Sequence, residues 1–153
     1  MKKTSSILLV LLMSIISIVG CSSKYDEETI KYVEDSADLY YHSVYLPGTM
    51  VNAIETGDTD MQRLIEEEIV AMQKQRDSLV APEELSEYDA FIKEYSTKAM
   101  MVTMLPIFGN DEQSIISNSE ELMNLNNPSL VADTCDKYGV DAKELLEHYE
   151  NRD

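Results

Sequence analysis

Apolar side chains recur at intervals of three and four residues from about residue 26 to the end of the chain. This spacing places them on one face of an α-helix, which has 3.6 residues per turn. No stretch of convincing length shows the alternation of apolar and polar residues that is typical of a half-buried strand. The pattern therefore predicts an all-α fold, a helical bundle of about four main helices in up-down order, followed by a short C-terminal helical pair.

Prolines and capping residues predict where the first two helices begin and end. Pro47 and Gly48 are expected to break the first helix, with residues 50–54 forming a separate helical piece. The pattern Thr59-x-x-Gln62 is that of a capping box, and we expect it to open the second helix. The first helix is therefore expected to end near Pro47.

The later helices are bounded by similar signals. Pro82 is suited to the first turn of the third helix, and Pro106 is expected to end that helix. Asn127 and Pro128 are expected to open a short fifth helix, for which Gly139 has the position of a C-terminal cap. The apolar residues expected on the buried faces of the second, third and fourth helices are Met61, Leu64, Ile65, Ile69, Met72, Leu79, Leu85, Tyr88, Ile92, Tyr95, Ala99, Val102, Ile115, Ile116, Leu122 and Met123.

The first twenty residues have a different character from the rest of the chain. Lys2 and Lys3 precede an apolar run, Ile7–Val19, which is thirteen residues long and is interrupted by two serines. A membrane-spanning helix needs about 20 apolar residues, so this run is too short for a permanent span and has the length of a signal-peptide core. The run ends in Ile18-Val19-Gly20-Cys21. Residues 1–20 are therefore expected to be a cleavable signal.

This ending resembles the lipobox of bacterial lipoproteins, in which branched and small residues precede a cysteine. The resemblance covers residues 1–21. It implies that the Cys21 thiol receives a diacylglyceryl group, that a dedicated signal peptidase cuts before Cys21, and that fatty acid such as palmitate is often added to the new amino terminus. The alternative is an ordinary secretory signal that happens to precede a cysteine.

The resemblance also implies an organisation and a location for the chain. We expect a signal peptide at residues 1–20, a lipidated Cys21 with a short tether at 21–25, and an acidic helical domain at 26–153. The domain would be held by its lipid on the extracytoplasmic side of a bacterial membrane, at the cell surface or in the periplasm. Two or three acyl chains anchor a protein stably, whereas one holds it only marginally.

The helical domain carries a large excess of negative charge. The chain has 29 Asp and Glu residues against 12 Lys and Arg. Because two of those lysines lie in the signal, which holds no acidic residue, the mature chain has 10 basic residues and a net charge of −19. Such a domain repels the phosphates of nucleic acids, so nucleic acid is excluded as a partner. The same field attracts cationic molecules, so the expected protein or peptide partner could be cationic.

Residues capable of catalysis are few. The two histidines, His42 and His148, lie in helical patterns without a nucleophile at a characteristic spacing, so each is expected to be a surface or core-edge residue. Cys135 is spaced like a small buried side chain, and with Cys21 carrying lipid it has no partner for an intramolecular disulfide. The sequence therefore predicts a protein that is not an enzyme and that needs no cofactor.

One uncharged segment, residues 99–108, is a candidate binding patch. It contains Met100, Met101 and Met104, whose three thioethers could act as soft ligands for Cu(I). Together with Ile107 and Phe108, the same methionines could form an adaptable apolar binding surface. The third interpretation is ordinary burial at a helix end.

The sequence leaves two functional hypotheses open. The first is a membrane-anchored envelope lipoprotein that binds an unknown protein or peptide without catalysing a reaction. The alternative is a carrier of Cu(I) or of a small apolar ligand that uses the patch from Met100 to Phe108. No family resemblance is apparent beyond residue 21.

Overall fold

The structure, a computed structural model, describes residues 24–109 and 111–150. The predicted signal peptide and Cys21 lie outside these residues. The described part of the chain contains α-helices, one short 3₁₀ turn and no strand, which confirms the predicted all-α class. The helices are α1 (Glu27–Thr56), α2 (Thr59–Ser78), α3 (Ser86–Met104), α4 (Glu112–Leu125), α5 (Pro128–Tyr138) and α6 (Ala142–Glu150), and the 3₁₀ turn is Glu83–Leu85.

The long helix α1 is the centre of the bundle and contacts α2, α3, α5 and α6. Helix α2 runs antiparallel to it, because Gln75 near the end of α2 donates to the Asp35 carbonyl at 3.1 Å, whereas Gln62 near its start donates to the Ala53 carbonyl at 3.2 Å. Helix α3 runs parallel to α1, because Tyr32 near the start of α1 donates to Asp89 near the start of α3, and Tyr40 further along α1 lies with its ring centroid 4.9 Å from that of Tyr95 further along α3. The first three helices therefore follow the predicted up-down order.

The fourth segment of the bundle runs antiparallel to α1 and consists of two helices, α4 and α5. The Tyr40 hydroxyl, halfway along α1, donates to Asn126, which ends α4. The ring of Tyr138, at the end of α5, lies 4.3 Å from the ring of Tyr25 at the start of α1. Helix α6 then runs parallel to α1 and packs beside it, with Tyr149 near its end contacting Asp38. The predicted C-terminal helical pair thus corresponds to α5 and α6.

Pro47 lies inside α1, so the predicted break at Pro47-Gly48 is wrong. An internal proline removes one helical hydrogen bond and costs about 3 kcal/mol. Its neighbours on the inner face are fully packed: Leu46 before it and Met50 and Ala53 after it are at most 2% exposed. Burial of a large apolar side chain contributes about 1.5–3 kcal/mol, so the packing of this face offsets the cost of the proline and α1 continues to Thr56.

The start of α2 also differs from the prediction, because its N-cap is Asp58 and not Thr59. The Asp58 carboxylate accepts a hydrogen bond from the Met61 amide at 2.9 Å. The predicted partner of the capping box, Gln62, extends its side-chain amide to the Ala53 carbonyl of α1 instead. Gly57, at φ 69°, makes the turn between the two helices, as a left-handed residue after a helix end usually does.

The core is formed largely by the predicted face of α3 and by tyrosines of α1. Tyr88, Ile92, Tyr95, Ala99 and Val102 are all buried, as the periodicity predicted. The prediction is wrong at the edges of two other helices, because side chains expected in the core are exposed. These exposed side chains are Met61, Leu64, Ile116 and Met123.

Over the described residues, no helix combines the length and the apolar character needed to cross a membrane.

Candidate functional site

A groove with both apolar and charged side chains lies between α1 and α2 and is closed at one side by the end of α6. Its volume is about 860 Å³. The groove residues are His42, Tyr45, Leu46, Thr49, Asn52, Ala53 and Thr56 of α1, Asp58, Met61, Leu64, Ile65, Glu67, Glu68 and Ala71 of α2 and its N-cap, and Tyr149 and Glu150 of α6.

Each wall of the groove is one face of a helix. The α1 residues follow one another at steps of three, one, three, three, one and three between His42 and Thr56. This sequence of steps is that of a single helical stripe. Fourteen residues of helix span about 21 Å, and the stretch of α2 from Asp58 to Ala71 spans about 20 Å. The groove is therefore about four helical turns long.

Apolar side chains form the base of the groove and part of its edge. Leu46, Ala53 and Ile65 are buried at the base. Leu64 and Met61 on the α2 side are 45% and 38% exposed, respectively. Large apolar side chains left in water next to a concave surface are typical of a binding site.

A polar cluster closes the end of the groove nearest α6. His42 Nε2 lies 3.0 Å from Glu68 Oε2, which joins α1 to α2. The Tyr149 hydroxyl donates to Asp38 Oδ1 at 2.6 Å, and the Tyr149 ring stacks on the His42 ring with centroids 5.1 Å apart. These contacts fix the last turn of α6 against α1 and so define the width of the groove at this end.

Tyr45 and Glu150 lie beside this cluster. The Tyr45 hydroxyl donates to Glu150 at 3.4 Å, and its ring is nearly parallel to that of Tyr149. Burial, with the neighbouring Glu150 carboxylate, raises the pKa of Tyr45 above its usual value. The phenol therefore stays protonated and remains a hydrogen-bond donor at neutral pH.

The charge of the groove is entirely of one sign among the described residues that line it. Four carboxylates, those of Asp58, Glu67, Glu68 and Glu150, contribute to its wall or edge, and no Lys or Arg side chain is among these lining residues. Each has a local partner: Asp58 caps α2, Glu68 contacts His42, Glu67 pairs with Arg63, and Glu150 accepts from the Tyr45 hydroxyl. The groove thus combines an apolar base with a negative edge.

The predicted methionine patch is divided by the helix that carries it. Met100 is 3% exposed and belongs to the core, whereas Met101 is 42% exposed. Met104 and Ile107 are half-buried, and Phe108 is 72% exposed. None of the five lines the groove. A Cu(I) site that uses all three thioethers would require Met100 to leave the core.

The other candidate residues are placed as follows. Cys135 is fully buried, as its spacing predicted, and burial raises the pKa of its thiol to about 11. His148 is exposed on α6 with its ring edge-on to Tyr149. Within residues 24–109 and 111–150, no three His, Cys, Asp or Glu side chains converge as they would around a metal ion.

The groove was missed in the sequence because Pro47 was expected to end the first helix. If α1 ended at Pro47, Tyr45 would belong to one helix and Thr49 and Asn52 to another. The sequence therefore gives no sign that these residues share one helical face. The exposed Leu64 was assigned to the core on its spacing alone. Spacing identifies the face of a helix that avoids water, but it cannot distinguish a face covered by the same chain from one left open.

Searches against protein families, curated proteins and solved structures found no match to this chain.

Proposed function

We propose that this chain is a bacterial envelope lipoprotein, anchored through lipid on Cys21, that binds a protein or peptide partner in the groove without catalysing a reaction. The observation that carries the binding role is the groove itself, where Leu64 and Met61 are exposed beside an apolar base. Single exposed apolar side chains are common, but apolar side chains grouped in an open concave surface are the usual basis for assigning a binding site.

The proposed anchor would place the groove away from the membrane surface. Cys21 lies six residues before Glu27, the first residue of α1, so even an extended tether spans only about 20 Å. The groove begins at His42, roughly 22 Å further along the axis of α1. With α1 leading away from the bilayer, the groove would face the space outside the membrane, where a soluble partner can reach it.

The anchor is tested by replacing Cys21 with alanine in cells that are fed labelled palmitate. We expect incorporation of label to be abolished and an unprocessed precursor to accumulate, because the thiol is the only acceptor for the diacylglyceryl group in the lipobox. Cys135→Ala is the matched control, and label should enter it normally. If Cys21→Ala protein still incorporates label, the chain is not anchored in this way.

The binding role is tested by site-specific photo-crosslinking in living cells. A photoreactive amino acid at position 64, in the groove, is expected to form a discrete adduct with a partner that mass spectrometry can identify. The same amino acid at position 70 is the control, because Val70 also lies on α2 and is 65% exposed but does not line the groove. Equal adducts from both positions, or none from position 64, would remove the groove from the proposal.

A further inference from the structure

We propose that the groove accepts an amphipathic helix whose polar face carries basic residues, presented by another protein or a peptide. This inference rests on the function proposed above and names the class of partner. It follows from three properties of the groove: its length, its apolar base and its uniform negative charge.

The shape of the groove fits a helix. It lies between two antiparallel helices, and its walls extend about 20 Å, or four turns. A third helix laid between two others is the ordinary packing unit of a bundle, with axes 8–10 Å apart in typical cases. On their inner side α1 and α2 already pack against α3 in this way. The groove presents the outer side of the same pair.

The apolar residues supply the contact area that such a helix needs. Leu46, Ala53 and Ile65 lie at the base but are at most 2% exposed, so most of the apolar contact area must come from more exposed lining side chains. Met61 and Leu64 extend this surface along α2, at a spacing of three residues. An apolar face that repeats at three and four residues, as on an amphipathic helix, would cover both exposed side chains at once.

The charges determine which amphipathic helix is favoured. The four groove carboxylates, with no lining Lys or Arg, complement Lys or Arg along the flanks of the ligand. The pair between Arg63 and Glu67 is exposed on both sides, and pairs of this kind contribute little, so Glu67 can exchange its partner at small cost. The excess of acidic over basic residues in the whole chain also attracts a basic ligand from longer range.

Other occupants fit less well. A second copy of this chain would bring its own excess of acidic residues against the same negative edge. A small polycation would meet the carboxylates but would leave Leu64 and Met61 exposed. A neutral apolar ligand would gain nothing from the four carboxylates. These alternatives predict different results in the experiment that follows.

The experiment uses the full lipidated chain in nanodiscs of zwitterionic phosphatidylcholine, with empty nanodiscs as the blank. The probe is a fluorescent Leu/Lys peptide of about 18 residues, which as a helix spans roughly 27 Å and carries its leucines on one face. The reference peptide has the same composition in an order that lacks the helical period. We expect the anisotropy of the first peptide to report saturable binding at least about tenfold tighter than that of the second.

Two pairs of matched variants locate the contact. Leu64→Ser should weaken peptide binding about tenfold, because one leucine loses its burial in the complex, whereas Val70→Ser on another face of α2 should leave binding unchanged. Glu67→Gln should weaken it about two- to fivefold, and Glu66→Gln, which is exposed outside the groove, should not. All four positions are exposed, and circular dichroism should show the same helix content.

Three results would overturn the inference. They are equal affinity for the two peptides, equal effects of Leu64→Ser and Val70→Ser, and full displacement of the peptide by spermine at matched charge. Affinity for the helical peptide should also fall between about 0.05 M and 0.5 M sodium chloride, as screening of the carboxylates requires. If the peptide fails while the crosslink at position 64 succeeds, the groove binds a partner of another class and the proposed function stands. If both fail, the proposed function fails with the inference.

Discussion

Replacing Ile92 with alanine is expected to lower the free energy of unfolding by about 2–5 kcal/mol. Ile92 is fully buried in the middle of α3, between Tyr88 and Tyr95 on the same face. Alanine removes three carbons from this fully buried site and leaves a cavity in the core. Urea unfolding followed by circular dichroism measures the change.

The matched control is Ile116→Ala in α4. Ile116 is 51% exposed, so the same chemical change removes little buried surface and should cost less than about 1 kcal/mol. A similar loss for the two variants, or a shift near zero for Ile92→Ala, would mean that the buried face of α3 is not the one described. The comparison therefore tests the register of the whole bundle.

Replacing Pro47 with alanine is expected to stabilise the protein by about 2 kcal/mol. Alanine restores the amide that a helix interior uses and removes the clash of the proline ring, which together cost about 3 kcal/mol. The unfolded chain regains freedom when proline is lost, which subtracts about 0.4–1 kcal/mol. The net gain should appear as a higher urea midpoint with an unchanged slope.

Pro128→Ala provides a control of opposite sign. Pro128 is the first residue of α5, where no intrahelical partner exists for the missing amide and the ring fixes a favourable backbone angle. Its replacement should destabilise the protein by less than about 1 kcal/mol. If Pro47→Ala is neutral or destabilising, contacts of the proline ring with its neighbours stabilise the protein by at least as much as the helix loses there.

The class of the fold and the face of α3 were predictable because both follow from local spacing. The C-terminal cap at Gly139 was predictable for the same reason, since a left-handed residue after a helix is a local requirement. The continuity of α1 through Pro47 was not, because it depends on packing of Leu46 and Met50 against helices that are distant in the sequence. Local helix propensity and tertiary burial compete at such a position, and only the helix propensity can be inferred from the residues around Pro47.

The candidate site was less predictable than the fold. His42 contacts Glu68, which lies 26 positions later in the sequence, and Asp38 contacts Tyr149, which lies 111 positions later. Pairings at such separations leave no periodic signal in a single sequence. The methionines offered a visible local pattern, yet the helix places Met100 and Met101 in different environments. The groove residues show no comparable clustering because they alternate with core residues on two helices.

The central position of α1 has a consequence for the order in which the domain can be assembled. Among the described helices, the one that contacts α2, α3, α5 and α6 is synthesised first, and the last turn of α6 later adds the contacts of Tyr149 to it. Until that turn has been added, Asp38 and His42 of α1 lack their contacts with the Tyr149 side chain. Of the helices that the structure describes, the N-terminal one therefore acquires its full set of helix neighbours only when the C-terminal one has been added.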